Sequence, residues 1–343
     1  MKTSLSSTFL ALREEIPISR SVMRGRDAVT VTIEHQGMRG CGETVTSRYM
    51  ELTKERILRM LGPVGPRLAR YPDPETALEA WDPGELAPAV AAGVESALFD
   101  LVGQRAGVSV HTLLGTARPP SAPTARTIGI VSPDEAADRA QEYTAAGFSV
   151  LKVKVGAADP AEDRHRVAAV RERAPRARLL LDANGGWTRE RALSELGYYA
   201  EAGAEAVEQP TPPGSGNDLC WLAERSPLPV IADEDVLGYD DALRLAGKVQ
   251  GVNVKLAKCG GIRTAVRISE ALAGSGTHLM LGCLAGSTLG IAPAVHLVDR
   301  ARWVDLDGHL LLKADPWTGI GGTDGTVRLS NRPGLGVRPA GVA

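Results

Sequence analysis

Apolar and polar positions alternate near the start of the chain, where Ala28-Val29-Thr30-Val31-Thr32-Ile33-Glu34 follows the two-residue period of a half-buried strand. His35-Gln36-Gly37-Met38-Arg39-Gly40 then supplies turn residues before Cys41-Gly42-Glu43, so the stretch from Ser7 to about Glu43 is expected to form a hairpin or meander. The period lengthens afterwards. Thr53 to Leu61 and Gly84 to Ala106 read as helices, the second carrying Val90, Val94, Ala97, Leu98 and Leu101 at helical spacing. Sheet followed by helices makes an α+β domain, placed at residues 1–115.

Beyond Thr124 the pattern becomes strand, helix, strand, helix. Arg126 to Val131 reads as a strand, and Ser132-Pro133-Asp134-Glu135 opens a helix with a cap, a first-turn proline and a capping-box acid. Gly147 closes it. Val150 to Val155 is the next strand, ended by Gly156. Asp159-Pro160-Ala161-Glu162 and Thr188-Arg189-Glu190-Arg191 open two more helices, the latter running to about Gly203. The alternation continues through Asp233, Lys255 and Thr277 to Leu281, and Arg302 to Asp307 reads as the last strand. Repeated βα units imply parallel strands, and the lack of a GxGxxG or Walker fingerprint favours a closed α/β barrel over a doubly wound sheet. A barrel takes about 250 residues, so 343 residues accommodate one with a smaller domain beside it. The barrel is placed at 116–307, and the glycine- and proline-rich tail, about 308–343, is expected to return to the N-terminal domain.

A formal charge of −2 and a pI near 6.3 provide no bulk attraction to nucleic acid or anionic membrane, which leaves small metabolites as the expected partners. No apolar run reaches the roughly 18 residues of a membrane span, and the N-terminus lacks a secretory h-region. A soluble cytoplasmic protein is expected, with a homo-oligomer left open. Cys41, Cys220, Cys259 and Cys283 show no Cys-x-x-Cys spacing, which argues against zinc and agrees with free thiols in a reducing compartment; Cys259 is the one to test for reactivity.

In the strand Val150-Leu151-Lys152-Val153-Lys154-Val155 the two lysines share a face. Alone, that suits a solvated edge. Three apolar runs downstream, however, each end in an acid: Asp182, Glu208 and Asp233, with Lys255 ending a fourth at intervals of roughly 22 to 28 residues. One such acid could merely cap a helix; a succession of three at strand ends is where a barrel keeps its chemistry. Packed helices require Leu151, Val153 and Val155 to face outward, which turns both lysines inward. The acids would repel one another, and all-oxygen ligation by Asp182, Glu208 and Asp233 suits Mg2+, with Mn2+ as a substitute. Lys154 and Lys255, on strands separated by the acid-bearing ones, approach a central ligand from opposite sides. That suits removal and return of a proton α to a carboxylate. The reference lysine pKa is about 10.4, so the base is expected to be shifted down by Lys152, the cation and burial, while Lys152 binds the substrate carboxylate.

These residues resemble the enolase superfamily, and its muconate-lactonising subgroup in particular. The matching pieces are Leu151 to Gly156, Leu181-Asp182-Ala183-Asn184-Gly185-Gly186-Trp187, Val207-Glu208-Gln209-Pro210, Ile231-Ala232-Asp233-Glu234 and Asn253 to Gly261, with Ala97 to Leu101 and Leu113-Leu114-Gly115 upstream. The resemblance implies an α+β cap on a (β/α)7β barrel, Mg2+ at Asp182, Glu208 and Asp233, acid/base lysines at Lys154 and Lys255, and supporting roles for Asn184, Glu234 and Lys258. Asp305-Leu306-Asp307 is similar to the Asp-x-Asp with which dipeptide epimerases grip a free α-ammonium, and alternation puts both carboxylates on one face. Epimerisation of a dipeptide at the Cα of its C-terminal residue is therefore expected. The alternatives are an o-succinylbenzoate synthase, N-acylamino acid racemase or cycloisomerase, and a barrel that binds without turnover. Two departures stand out: Gly286 where the family commonly has glutamate, and Asp235 where serine is usual. Loops expected around Ser19 to Asp27 and Thr44 to Leu52 carry Arg20, Arg24, Arg26 and Arg48, and Arg24 is named as a candidate to pair an acidic substrate side chain.

Overall fold

The structure, a computed structural model, describes residues 1–18, 21–214 and 216–341. The N-terminal alternation becomes an antiparallel sheet of β1 (Lys2–Ile18), β2 (Ser21–His35) and β3 (Met38–Val45), in that order. Gln36 and Gly37, at φ 50° and 80°, form the two-residue turn that pairs His35 with Met38. Val29, Val31 and Ile33 bury one face against Ile57, Leu61, Val90, Val94 and Leu101 of the helices. Gly42 permits this: a Cβ there would lie 1.9 Å from the Gly93 carbonyl oxygen, so helix Pro88–Ala106 approaches the sheet as closely as backbone allows.

That helix starts at Pro88 rather than Gly84, because Gly84 at φ 57° belongs to a turn. It is buried on nearly every side, since its second face, with Phe99, meets the barrel. A second difference concerns Ser19 to Asp27. From Ser21 onward this is strand β2, not a loop, and Ser19 and Arg20 lie outside the described residues. Thr46 to Leu52 is a loop, closed by a bridge between Ser47 and Leu52.

Eight strands form one parallel sheet: β4 (Ala125–Ile128), β5 (Val150–Lys154), β6 (Arg178–Asp182), β7 (Ala204–Glu208), β8 (Val230–Ala232), β9 (Gly251–Lys255), β10 (His278–Gly282) and β11 (Trp303–Asp305). The two end strands meet through side chains. Leu306 N donates to Thr124 Oγ1 at 2.8 Å, and Thr127 N donates to Asp307 Oδ2 at 3.0 Å. β4 stops at Ile128, short of the expected Val131.

Period two sorts the side chains. Leu151, Val153, Leu179, Leu181, Val207 and Val252 face the helices, while Ala125, Val150, Leu180, Ala206, Ile231, Met280 and Trp303 form an apolar layer inside the ring. Gly251 makes room for the Trp303 indole, since a Cβ would stand 2.7 Å from its Cζ3. One step above this layer the inward positions become polar. The tail returns to the N-terminal part of the chain: at the sheet Arg13 N donates to Leu311 O and Lys313 N to Ala11 O, and at helix Pro88–Ala106 Leu335 N donates to Asp100 Oδ1. No helix among the described residues is long and apolar enough to cross a membrane.

Candidate active site

The register aligns Lys154 with Asp182 and Asp182 with Glu208, while Lys255 aligns with Gly282 and Gly282 with Asp305. Asp233 follows the end of β8 directly. Carboxylates and ammonium groups therefore interleave around one end of the ring. Lys152 Nζ lies 2.9 Å from Asp182 Oδ2, 2.7 Å from Glu208 Oε2 and 2.7 Å from Asp305 Oδ2, and the side chain is almost fully buried. Lys154 Nζ donates to Asp182 Oδ2 at 2.6 Å and Asn184 Oδ1 at 2.7 Å. Across the ring, Lys255 Nζ donates to Asp233 Oδ2 at 2.7 Å. Lys258, from the short helix Leu256–Cys259, donates to Asp233 Oδ1 at 2.7 Å and to its carbonyl at 2.6 Å.

These contacts alter two expectations. Lys152 is engaged by three carboxylates of the chain itself rather than turned toward an incoming one. The protein's own groups do not lower Lys255: burial lowers its pKa, but Asp233 and Glu208 outweigh that and raise it above the usual lysine value, so the downward shift a base needs falls to a cation drawing on those carboxylates. Lys152 is raised for the same reason by Asp182, Asp305 and Glu208 acting against burial. Asp182 and Asp233 are held below the ordinary range despite burial, by Lys152 and Lys154 and by Lys255 and Lys258 respectively. Glu208 goes the other way, pushed up to about 8 by burial and by Asp182.

The three acids do not close on a single point among the described residues, because lysines draw them apart: Asp233 toward Lys255 and Lys258, Asp182 and Glu208 toward Lys152. Their chemistry nevertheless fits a hard divalent cation. All donors are carboxylate oxygens, and Glu208 is under-compensated where it stands. Its buried Oε2 has an ion-pair distance to Lys152 but no hydrogen bond of acceptable angle.

Asp305 and Asp307 diverge. Asp305 Oδ2 is held by Lys152, while its Oδ1 is buried without a hydrogen-bond partner. Asp307 instead turns to the seam, accepting from Thr127 N and from Arg126 Nη1 at 3.4 Å, so its carboxylate joins the two ends of the sheet. Asn184, at φ 43°, links Lys154 to Glu234 by donating to Glu234 Oε1 at 3.2 Å. Arg24 lies exposed on strand β2 rather than in a loop, and is paired with Glu15 at 2.7 Å. Arg26 is half-buried and donates to Thr46 O. Burial pushes the Cys259 thiol up to about 11, away from the reactive thiolate form.

Several residues of the site escaped the sequence reading. Asn253 Nδ2 donates to Glu208 Oε1 at 2.6 Å, and Gly282 leaves it room, since a Cβ there would fall 2.4 Å from Asn253 Oδ1. The available signal was alternation, which puts Asn253 on the same face as Lys255. Gln209, fully buried, receives Asp233 N on its Oε1 at 2.9 Å and donates to Asp235 Oδ2 at 2.7 Å. Asp235 also receives Gly214 N, so the unusual aspartate ties the turn after Glu208 to the turn after Asp233. Tyr49, from the Thr46–Leu52 loop, donates to Glu234 O at 3.2 Å. Near Gly286, Glu43 of β3 accepts from Ser287 N at 2.9 Å and from Ser287 Oγ at 2.5 Å. A carboxylate from the sheet thus stands where residue 286 has no side chain, 3.1 Å from where its Cβ would be.

Comparison with known proteins follows the same outline. The model described as mandelate racemase / muconate lactonizing enzyme, N-terminal domain, matches residues 5–115, and the enolase C-terminal domain-like model matches 135–341. The L-Ala-D/L-Glu epimerase of Bacteroides thetaiotaomicron is 32% identical over 98% of this chain and 88% of its own. The hydrophobic dipeptide epimerase of Roseobacter litoralis is 32% identical over 98% of each chain. The dipeptide epimerase of Enterococcus faecalis, solved with Mg and L-Leu-L-Tyr, superposes with a TM-score of 0.90 at 30% identity and 98% coverage of both chains. With both domain models matched in order on this arrangement of lysines and acids, the chain belongs to the mandelate racemase/muconate lactonizing enzyme branch of the enolase superfamily.

Proposed function

We propose that this chain is a Mg2+-dependent dipeptide epimerase that inverts the Cα of the C-terminal residue. The observation that carries the reading is the pair of lysines, Lys154 and Lys255, standing on either side of the strands that bear Asp182, Glu208 and Asp233. A single base would return the proton to the face it came from; two on opposite walls allow inversion. One of them takes the α-proton while the other, still an ammonium, gives a proton to the opposite face. Bound Mg2+ would supply positive charge for the oxygens of the substrate carboxylate, with Asp182, Glu208 and Asp233 as its holders. Lys152 compensates the acids from within, and Asn253 and Lys258 fix the Glu208 and Asp233 carboxylates.

The dipeptide class is supported by Asp305, whose spare buried oxygen suits a free α-ammonium, and by the activities named for the relatives. A synthase or cycloisomerase acting on a substrate without an amine has no use for that oxygen. Asp307, turned to the seam, is proposed to support Asp305 and to contact the ammonium only on rearrangement. Arg24 is proposed as a pairing group for acidic side chains only if it leaves Glu15. Residues 1–115 and 308–343 are read as a cap over a barrel of 116–307.

The test is solvent-deuterium exchange against a dipeptide library, read by mass. Incorporation at the C-terminal Cα is expected. Absence of exchange with every dipeptide, alongside turnover of an acyl amino acid or a cyclohexadiene acid, would overturn the reading. Lys154→Ala and Lys255→Ala should each lower epimerisation by at least about 10²- to 10⁴-fold, one variant retaining exchange from a single stereoisomer.

A further inference from the structure

The outer edge of the cap sheet is open, and its open length is defined by the register. In a two-residue hairpin the closing pair exchanges hydrogen bonds, so the backbone of His35, and of Ile33, Val31 and Val29 behind it, faces β3. Thr46 N donating to Asp27 O follows the same parity. Glu34, Thr32, Thr30 and Ala28 therefore face β1 and engage Lys2, Ser4, Ser6 and Thr8. The remaining β1 residues, Thr3, Leu5, Ser7 and Phe9, direct their N–H and C=O groups outward. Further along, Ala11 and Arg13 also point outward, and these two are taken by Lys313 and Leu311 of the tail. Thr3, Leu5, Ser7 and Phe9 have no such backbone partner among the described residues.

Exposed edges usually carry a charge, a proline or a bulge that repels another strand. Thr3-Ser4-Leu5-Ser6-Ser7-Thr8-Phe9-Leu10-Ala11-Leu12 has neither charge nor proline, and the register with β2 is regular from Lys2 to Ala11. Leu5 and Phe9 are 39% and 57% exposed on this edge.

We propose that Thr3 to Phe9 pairs, antiparallel, with the same segment of a second copy of this chain about a two-fold axis through Ser6. In that register Thr3 meets the partner's Phe9 and Leu5 meets the partner's Ser7, so every outward backbone group finds a complement. A shift of one step in either direction leaves part of the set unpaired. The side chains agree. Leu5 lies diagonal to the partner's Leu5, and Phe9 diagonal to it as well, which gathers four exposed apolar groups into one cluster, while Ser4 stands beside the partner's Thr8 on the other face. This self-complementarity is why the occupant is a second copy rather than an unrelated strand. The pairing leaves the lysines and acids untouched and is independent of the reaction proposed above.

Sedimentation of the full chain over about 1–100 µM, the range in which an interface of modest size is read out, should show a dimer. The variant Leu5→Lys/Phe9→Lys puts like charges into the cluster, and Ser7→Pro removes an outward N–H that β2 does not use; each should weaken association at least about tenfold. Thermal unfolding of the dissociated chain and its circular dichroism report whether either variant has lost its fold, and the lysine variant keeps the test alive if the proline variant has. Ser6→Cys should form an intermolecular disulfide on mild oxidation, because a non-hydrogen-bonded pair on the axis brings its Cβ atoms together, and Ser275→Cys should not. A monomer throughout, a dimer indifferent to both edge variants, or no cross-link at Ser6 would each overturn the proposal.

Discussion

Lys152 stands among three buried carboxylates, and its removal would leave them facing one another without a counter-charge. Lys152→Met should therefore cost about 3–5 kcal/mol of stability, read by urea unfolding, with part of the loss recovered when Mg2+ is added. Asn253 acts more gently. Its amide orients one oxygen of Glu208, and Asn253→Ala should weaken Mg2+ binding by about 10- to 100-fold, measured by titration calorimetry, while the fold persists. The lysines and acids were legible in the sequence because charged groups at the ends of apolar strands have no other inexpensive location. Asn253 was not, since an asparagine inside a strand is ordinarily solvated, and Lys258 was legible only as a supporting residue, through the family resemblance. Only the packing shows that Asn253 is fully buried and that Lys258 folds back onto Asp233.

Strand β3 and helix Thr288–Val295 meet through Glu43, whose carboxylate takes the N–H and hydroxyl of Ser287. Asp315 does the same one residue later, accepting from Thr288 N and Oγ1. Burial pushes Glu43 up to about 7, against the hydrogen bonds from Ser287, and nearby Asp315 adds to the rise. The folded chain thus holds this proton up to about pH 7, whereas an unfolded glutamate releases it near 4.3. Stability contributed by that proton is complete below about pH 4, falls as the pH rises toward 7, and is gone above it. Glu43→Gln keeps a hydrogen-bonding side chain but cannot ionise, so its thermal midpoint should decline less between pH 4.5 and 7 than that of the unmodified chain. The strands and capped helices were predictable from period and cap chemistry, as at Ser132 and Thr188. The Glu43 junction was not: it joins residues 244 positions apart, and nothing local to Cys41-Gly42-Glu43 marks the acid as a contact.

Asp182, Glu208 and Asp233 are all buried at the ends of the barrel strands, so occupancy of a metal site there should be felt as global stability. A cation at 100 times its dissociation constant adds about 2.7 kcal/mol. Mg2+ should therefore raise the unfolding midpoint of the unmodified chain and leave Asp182→Asn nearly unmoved, with calcium-free chelator as the baseline. The βα rhythm revealed the barrel from sequence, and the cap's alternation revealed its sheet. The hairpin over Ser21 to Asp27 was obscured because its arginines and glycine look like loop residues, although backbone pairing with β1 makes them strand. The indole of Trp303, seated against Gly251, has one last implication. It stoppers the floor of the ring beneath the lysines and acids, so a dipeptide inverted there must depart across the same rim by which its precursor entered.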